Sequence, residues 1–262
     1  MRVLLTNDDG IGSPGLHALA RAFEPEAEVF VVAPEHERSA TGHAITLHKP
    51  LRAVPSSIPG SSVRAWATNG TPADCVAMGA LSLLAERPDI VVSGINVGPN
   101  MGRDLTYSGT VSGAMEAAII GVPGIAVSVG AFRNPRFDVA GRFAVYLAKM
   151  IVARGLPADT LLNVNVPNLP AAEIEGVEIT RQGDKRYISR LEERTDPRGR
   201  PYYWLTGEPG IRGDLEGTDT WALAHRRISV TPIGLDMTSP PAVTALRSWG
   251  LEVAKEERPA RP

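Results

Sequence analysis

Short runs of hydrophobic residues recur along the first part of the chain, and turn-forming residues bound each of them. Runs of this length without polar alternation are typical of strands that are buried on both faces of a parallel sheet. Between the runs, apolar residues recur with helical spacing, as expected where helices connect parallel strands. The pattern predicts strands at residues 3–6, 28–33, 89–93, 124–129 and 161–166.

The helices are predicted from their start signals as well as from their spacing. Ser13 suits the N-cap position and Pro14 the first helical position, and apolar residues follow with helical spacing at 16–23. The same signals predict helices at 71–86, 109–120 and 138–154. The alternation of strands and helices over 1–170 predicts a doubly wound, three-layer Rossmann-like α/β core.

Two parts of the chain depart from this alternation. Residues 43–53 and 62–68 have strand composition, which predicts a hairpin inserted between the parallel units. Beyond Pro167 the pattern predicts a β-rich elaboration (171–240) and then a C-terminal helix and tail (241–262). Within these parts we expect antiparallel strands at 177–187, 202–206 and 228–231, a helix at 243–255, and disorder from residue 256.

The composition is that of an ordinary globular protein, with 43% hydrophobic and 21% charged residues. A formal charge of −2 and the lack of a dense Lys/Arg block argue against nucleic-acid polymers as partners. No apolar stretch approaches the roughly 18 residues of a membrane span, so no membrane partner is expected. The single cysteine, Cys75, excludes an intramolecular disulfide framework, and the short N-terminal apolar run is no signal peptide; we therefore expect a cytoplasmic protein.

Four loops that follow predicted strands contain residues suited to binding metal or phosphate, and ligands of open α/β sheets bind at this edge. In the first loop, Asp8 and Asp9 are adjacent between Asn7 and Gly10. Two neighbouring carboxylates repel each other, and a hard divalent cation would neutralise them. A polar turn with an aspartate cap is the alternative, and the preceding apolar strand favours the metal.

The second and third loops offer neutral groups. The Ser39 hydroxyl could bind a metal or donate to phosphate, although a solvated loop with a local hydrogen bond explains it better on pattern alone. Asn96 and Asn100 lie four residues apart among glycines, which allow a loop to wrap closely around a ligand. Asn96 could offer its carbonyl to a metal and Asn100 its amide to phosphate, but both residue types are also common in ordinary turns.

The fourth loop opens a predicted helix with the sequence Tyr107-Ser-Gly-Thr110. Exposed N–H groups and the positive dipole at a helix start bind anions, and the hydroxyls of Ser108 and Thr110 add donors. An ordinary N-cap is the alternative. The helix start therefore supplies Ser108, Gly109 and Thr110 as candidate phosphate contacts.

Together these motifs resemble the SurE family, the survival-protein nucleotidases also called 5'/3'-nucleotidases. The resemblance covers nearly the whole chain up to about residue 240. The matching motifs are T-N-D-D-G-I-x-S-P-G at 6–15, A-P-x-x-x-R-S at 33–39, G-T-P-A-D-C-V at 70–76, S-G-I-N-x-G-x-N at 93–100, Y-S-G-T-V at 107–111, T-R-Q-G at 180–183 and E-G-T-D-x-W-A at 216–222.

The resemblance implies hydrolysis of nucleoside 5'- and 3'-monophosphates to nucleoside and phosphate, with one Mn²⁺ or Mg²⁺ ion per subunit. Some members also cleave short polyphosphate, and members form homodimers or homotetramers in which C-terminal segments reach over a neighbouring subunit. The implied metal ligands are Asp8, Asp9, Ser39 and Asn96. The implied phosphate contacts are Asn96, Asn100, Ser108, Gly109 and Thr110.

We therefore expect metal-assisted hydrolysis, in which the cation polarises a phosphoryl oxygen and lowers the pKa of a bound water. Asp8 or Asp9 would accept a proton, so both are candidate catalytic residues. A non-catalytic nucleotide sensor on the same fold is one alternative, although a pure binder has no need of two carboxylates facing phosphate. A phosphatase with a covalent aspartate nucleophile is another, although its acids would be spaced rather than adjacent.

Overall fold

One sheet of nine strands forms the centre of the computed structural model, which describes residues 1–184, 190–207 and 215–252. Its mutually parallel strands are β1 (Arg2–Thr6), β2 (Glu28–Pro34), β4 (Arg64–Thr68), β5 (Ile90–Val97), β6 (Gly124–Val129) and β7 (Thr160–Val166). Its remaining strands are β3 (Ala53–Ser56), β8 (Val177–Ile179) and β11 (Ile228–Gly234), and the order is β3-β4-β2-β1-β5-β6-β7-β11-β8. A separate antiparallel hairpin consists of β9 (Arg190–Thr195) and β10 (Pro201–Thr206).

Helices cover both faces of the sheet, which confirms the predicted three-layer, doubly wound core. One face carries α1 (Pro14–Phe23) and α4 (Asp138–Arg154), which pack on each other. The opposite face carries α2 (Pro72–Met78), with its π-helical extension Gly79–Leu83, and α3 (Gly109–Ile119). Two short helices follow in the C-terminal part, α5 (Asp219–Ala224) against β11 and the exposed α6 (Pro240–Arg247).

The side chains of β1 show why this strand is a continuous apolar run. Val3 and Leu5 pack into the cluster that α1 and α4 complete, whereas Leu4 points to the other face and contacts the cluster around Cys75 and Val76 of α2. The side chains of Val3, Leu4 and Leu5 are fully buried. A strand with both faces covered has no position left for polar alternation.

The position of β1 in the sheet determines where a ligand can bind. β1 lies between β2 and β5, and the chain leaves it through α1 towards β2 but later builds β5, β6 and β7 on its other side. This change of direction is a topological switch point, where the loops after neighbouring strands diverge and leave a crevice. The loops that follow β1 and β5 therefore face the same opening.

The inserted hairpin is present, but its first strand was predicted too early. The strand lies at Ala53–Ser56, so it shares only Ala53 with the prediction and otherwise falls between the two predicted strands; it pairs antiparallel with β4. Residues 43–52 form no strand, and Ile45 and Leu47 are exposed. Residues 43–52 have the apolar spacing of a strand, but among the described residues no neighbouring strand lies beside them for their backbone to pair with. Pro55 is tolerated in β3 because an edge strand needs no second set of ladder hydrogen bonds.

The second helix was also predicted too long. It gives way at Gly79 to a π-helical turn that ends at Leu83, short of the expected residue 86. The chain must reverse there to enter β5, and Pro88 disfavours a helical conformation in the residue before it.

The C-terminal part differs from the expectation of purely antiparallel strands. β9 pairs antiparallel with β10 and β11 pairs antiparallel with β7, but β8 pairs parallel with β11. β11 and β8 extend the main sheet, and neither β9 nor α5 was predicted. The last helix begins at Pro240 rather than 243 because Ser239 caps it, and it ends at Arg247. Residues 185–187 of the predicted strand and the tail from residue 253 lie outside the described residues.

None of the helices in the described part of the chain is both long and apolar enough to cross a membrane.

Candidate active site

A cavity of about 280 Å³ lies at the carboxyl ends of β1 and β5, at the switch point. The structure brings six of the eight predicted site residues to its wall. Gly109 and Thr110 do not line it, because they lie behind Asp8 at the start of α3. The wall consists of Asp8, Asp9, Glu37, Ser39, Ala40, Asn96, Val97, Asn100, Asp104, Tyr107 and Ser108.

The start of α3 holds the Asp8 carboxylate in place. The Thr110 hydroxyl donates to Asp8 Oδ1 over 2.5 Å, and the backbone N–H of Thr110 donates to the same carboxylate. Gly109 permits this approach, because a Cβ atom at that position would lie 2.6 Å from the Asp8 Cβ. The positive end of the α3 dipole is therefore directed at Asp8. Ser108 is the N-cap of α3, and its side chain accepts from the backbone N–H of Val111.

The electrostatic environment disfavours negative charge on both aspartates. Burial raises the pKa of Asp8, and the Thr110 hydroxyl bond offsets part of that increase. Burial, the charge of Asp8 and the charge of Glu37 together raise the pKa of Asp9 to about 7. A cation bound between the two carboxylates would remove this cost.

The loop after β2 brings Ser39 to the same cavity. The backbone N–H of Arg38 donates to the Asp8 carbonyl over 2.7 Å, which ties this loop to the loop after β1. The Ser39 hydroxyl donates to Glu37 Oε1 over 2.6 Å. Because its hydrogen is used in this bond, the Ser39 oxygen has its lone pairs available to coordinate a cation or to accept a hydrogen bond.

An irregularity in β5 positions Asn96. The register with β6 shifts between Ser93 and Asn96, at the cis peptide bond Gly94–Ile95. Gly94 has φ +143°, and a Cβ atom there would lie 2.3 Å from the Val127 carbonyl oxygen, so only glycine fits. The Asn96 amide nitrogen donates to the Gly98 carbonyl over 2.8 Å, which leaves the Asn96 side-chain oxygen as the atom suited to bind a cation.

Asn100 is held by side chains from two neighbouring strands. Its side-chain nitrogen donates to the Ser128 hydroxyl of β6 over 2.9 Å. The backbone N–H of Asn100 donates to Asn165 Oδ1, and the Asn100 carbonyl accepts from both Asn163 and Asn165 of β7. One hydrogen of the Asn100 amide is used by Ser128, so the second can be offered to a ligand.

The residues at the cavity fit a hard divalent cation. Carboxylate, hydroxyl and amide oxygens are the ligands that Mg²⁺ and Mn²⁺ prefer. Within residues 1–184, 190–207 and 215–252, no three acidic, histidine or cysteine side chains are grouped closely enough to hold an ion by themselves. The neutral oxygens of Ser39 and Asn96 would therefore have to complete a set begun by Asp8 and Asp9.

Five residues of the wall were not predicted as site residues, the apolar Ala40 and Val97 and the more informative Glu37, Asp104 and Tyr107. Glu37 precedes Ser39 by two residues, and Asp104 and Tyr107 lie on the 3-10 helix Gly102–Tyr107 between Asn100 and Ser108. Their position between predicted site residues was the available signal. It was not used because an acid or an aromatic in a loop is ordinarily a solvated surface residue.

Comparison with known proteins places these residues in a family. The family model "Survival protein SurE" matches residues 3–189. A "5'-nucleotidase SurE" of Heliobacterium modesticaldum is 53% identical over 249 residues, which are 95% of this chain and 92% of that protein. A protein of the same name from Geobacter sulfurreducens is 50% identical over 258 residues, 98% of this chain and 97% of that protein.

The fold is shared with a solved structure. The crystal structure of SurE protein from Aquifex aeolicus superposes with a TM-score of 0.82 at 43% sequence identity, and the match covers 95% of this chain and 99% of that chain. The family model's match over residues 3–189 includes all four loops of the cavity.

Proposed function

The chain belongs to the SurE family, and we propose that it is a metal-dependent nucleotidase that hydrolyses nucleoside monophosphates to nucleoside and phosphate. Its curated relatives carry the name 5'-nucleotidase, and they match it at about half identity over most of both chains, 53% and 50% for the two described above. We also propose nucleoside 3'-monophosphates and short polyphosphate as substrates.

The observation that supports metal dependence is the charge of the cavity wall. Asp8, Asp9, Glu37 and Asp104 line it, and within residues 1–184, 190–207 and 215–252 no Lys, Arg or His side chain does. A phosphate monoester carries about two negative charges at neutral pH. Such a group would be repelled from an acidic wall in a partly buried site unless a cation lay between them.

Asp8, Asp9, Ser39 and Asn96 would hold one divalent ion per subunit, Mn²⁺ or Mg²⁺. The ion would supply Lewis-acid polarisation of the phosphoryl group and make water easier to deprotonate. The acidic residue Glu37 adds negative charge beside this set, since it contributes to the raised pKa of Asp9.

The protein side chains bind and orient the phosphate. Asn100 would donate its second amide hydrogen to a phosphoryl oxygen, and the Ser108 hydroxyl at the N-terminus of α3 would donate another hydrogen bond. Gly109 and Thr110 would affect the phosphate indirectly, through the dipole of α3 and through the position of Asp8. Donors fixed before substrate arrives stabilise developing charge without reorganisation.

Asp9 is the stronger candidate for accepting a proton from the attacking water. It is half-buried, whereas Asp8 is buried and receives both donors of Thr110. Water therefore reaches Asp9 more easily than it reaches Asp8.

The expected substrate range follows from which part of the nucleotide the cavity residues can bind. Among the wall residues that the structure describes, Tyr107 is the one aromatic, with 55% of its surface exposed. Apart from Ala40 and Val97, the other wall residues are polar and suit the phosphate and a cation rather than a base. We therefore expect broad acceptance of nucleobases, with the phosphate providing most of the recognition.

The oligomeric state and the location complete the proposal. We propose a homodimer or homotetramer built with the segment 171–240, whose hairpin β9–β10 is largely exposed in the monomer. The buried single thiol of Cys75 suits a reducing compartment, and we place the enzyme in the cytoplasm.

The test is phosphate release from AMP after removal of metal with a chelator. We expect loss of turnover, recovery with added Mn²⁺, and little recovery in Asp9→Asn. Undiminished turnover in the stripped enzyme would contradict metal dependence. Tight AMP binding without turnover at any metal concentration would instead identify a sensor, and a trapped phosphoaspartate would identify a covalent mechanism.

A further inference from the structure

We infer that Asn163 and Asn165 of β7 and Asp219 of α5 are positioning residues for the phosphate-binding loop. They hold the backbone of residues 98–102, which we call the Asn100 loop. This inference rests on the proposed function for its effect on turnover. We call their hydrogen bonds to this loop the clamp, and its presence can be tested without measuring activity.

The two asparagines are unusual residues for their place in the fold. β7 reads Leu-Leu-Asn-Val-Asn-Val at 161–166, and both Asn163 and Asn165 are fully buried in it. Asparagine is disfavoured in strands, and a buried carboxamide costs free energy unless it is hydrogen-bonded. Side chains of a strand alternate between faces, so residues 163 and 165 point to the same side.

Both asparagines point at one peptide segment, that of Asn100. Asn165 Oδ1 accepts from the Asn100 backbone N–H over 2.9 Å, and its Nδ2 donates to the Asn100 carbonyl over 2.9 Å. Asn163 Nδ2 donates to the same carbonyl over 2.8 Å. The side chain of Asn165 thus replaces the strand partner that a loop lacks.

Asp219 acts in the same way one peptide unit further on. Its Oδ2 accepts from the backbone N–H of Gly102 over 2.8 Å, and its Oδ1 accepts from the N–H groups of Gly183 and Thr220. Gln182 completes the clamp by donating to the Gly102 carbonyl over 2.8 Å. Asp219 is fully buried, and these three backbone N–H groups provide hydrogen-bond partners for both of its carboxylate oxygens.

These bonds fix Asn100 itself and the C-terminal end of the segment that carries its side chain. The segment lies between β5 and the 3-10 helix Gly102–Tyr107, which itself bears Asp104 and Tyr107 of the cavity wall. A shift of about 1 Å in a group that contacts the transition state can reduce the rate roughly 100-fold. The clamp therefore provides the rigidity that a phosphate contact on a loop would otherwise lack.

The experiment compares Asn165→Leu, Asn163→Leu and Gln182→Ala with the wild-type protein and with a matched control. The control is Ser229→Ala on β11. Ser229 is fully buried, is the cross-strand partner of Asn165, and bonds to Thr180 rather than to the loop. Each variant is assayed for kcat and KM with AMP, for melting temperature, and for hydrogen–deuterium exchange of the peptides that cover the Asn100 loop.

For Asn165→Leu we expect kcat to fall roughly 10- to 100-fold with KM changed far less, as for a contact that acts in the transition state. Asn163→Leu separates positioning from stability. Asn163 Oδ1 is buried without a hydrogen-bond partner among the described residues, so its replacement should preserve the melting temperature while lowering kcat several-fold. Gln182 is exposed, so Gln182→Ala should fold normally and lower kcat slightly.

Faster exchange of the Asn100 loop in the three variants, but not in Ser229→Ala, supports the clamp. Unchanged exchange of that loop, or wild-type kcat/KM in Asn165→Leu, overturns the inference. If the wild-type protein does not hydrolyse AMP, the proposed function fails, and the exchange measurement still decides whether the clamp exists.

Discussion

At the scale of single residues, Asp8 and Asp9 are neighbours in sequence but lie in different surroundings. Asp8 is buried and receives the hydroxyl and the backbone N–H of Thr110, whereas Asp9 is half-buried and faces the charges of Asp8 and Glu37. Two carboxylates in different environments can take different roles, one mainly structural at the metal and one able to exchange protons.

Replacing Asp9 with asparagine is expected to stabilise the metal-free protein. The pKa of Asp9 is raised to about 7 in the folded state, so at pH 8 its charged form is disfavoured by folding, and a neutral amide avoids that cost. The melting temperature of the stripped Asp9→Asn protein should exceed that of the stripped wild type at pH 8, by about 2–4 °C for each kcal/mol relieved.

Added Mn²⁺ should reverse this order, because it binds and stabilises only the wild-type site. Calorimetric or fluorescence melts with and without the ion measure both effects. If Mn²⁺ raises the melting temperature of Asp9→Asn as much as that of the wild type, Asp9 is not a ligand.

Replacing Thr110 with valine is expected to weaken metal binding without removing a ligand. The substitution keeps the shape of the side chain but removes the hydroxyl that donates to Asp8 Oδ1. Loss of a partner that orients a metal ligand typically costs roughly 10- to 100-fold in metal affinity. Titration calorimetry with Mn²⁺ measures the change.

Thr231→Val is the matched control, because Thr231 is also buried and, in the described part of the chain, its hydroxyl bonds to the hydroxyls of Thr180 and Ser229 and not to a site residue. An equal loss of affinity in both variants would show a general effect of destabilisation rather than a specific one on Asp8.

At the scale of elements, β5 carries Asn96, and the start of α3 carries Ser108 and holds the Asp8 carboxylate through Thr110. Sequence reasoning located the strand, the glycine-rich loop and the helix start within a few residues of their observed bounds. It did not show that β5 continues to Val97 past a register shift, or that the α3 start is occupied by Asp8. Both depend on neighbours that are distant in sequence, such as Val127 behind Gly94.

The Gly109→Ala variant tests the contact between α3 and the loop after β1. Alanine favours a helix at this position, yet its Cβ would meet Asp8 atoms at 2.6 and 2.8 Å. Asp8 would have to move, so kcat/KM should fall at least about tenfold despite the better helix propensity. Steady-state kinetics with AMP measure the loss.

Gly234→Ala serves as the control, since nothing lies within 4 Å of a Cβ atom there. Equal activity in Gly109→Ala and wild type would mean that the loop after β1 is free to adjust.

At the scale of the whole molecule, the sheet is larger than the predicted core, because β11 and β8 add to its edge beyond β7. The hairpin β9–β10 stands apart from it. Leu191, Tyr203, Trp204 and Leu205 of the hairpin are more than half exposed, at 56–63%. A two-stranded hairpin is marginal alone in water, so contact with a second subunit would stabilise it.

The Trp204→Ser variant is expected to weaken the proposed oligomer. Aromatic side chains contribute much of the binding free energy of protein interfaces, and the exposed ring of Trp204 is the largest on the hairpin. Size-exclusion chromatography with light scattering should show a shift towards monomer as the protein is diluted.

Tyr146→Ser on α4, whose ring is 58% exposed, provides a matched surface control and should leave the oligomer unchanged. A monomeric wild-type protein, or an oligomer that withstands Trp204→Ser, would contradict the role of the hairpin.

The sequence by itself determined the alternation of β1, α1 and β2, the parallel core, and the set of polar loops that carry the candidate ligands. It could do so because burial on two faces, helix caps and turn residues are local properties of a few neighbouring positions. Family motifs added the activity that these loops imply.

Only the tertiary structure decided which atoms of those loops meet. The hydrogen bonds between Thr110 and Asp8, between Asn100 and Asn165 and between Gly102 and Asp219 span 102, 65 and 117 residues of the chain. No local pattern reports a contact at such separation, because it is set by the packing of whole elements against the sheet.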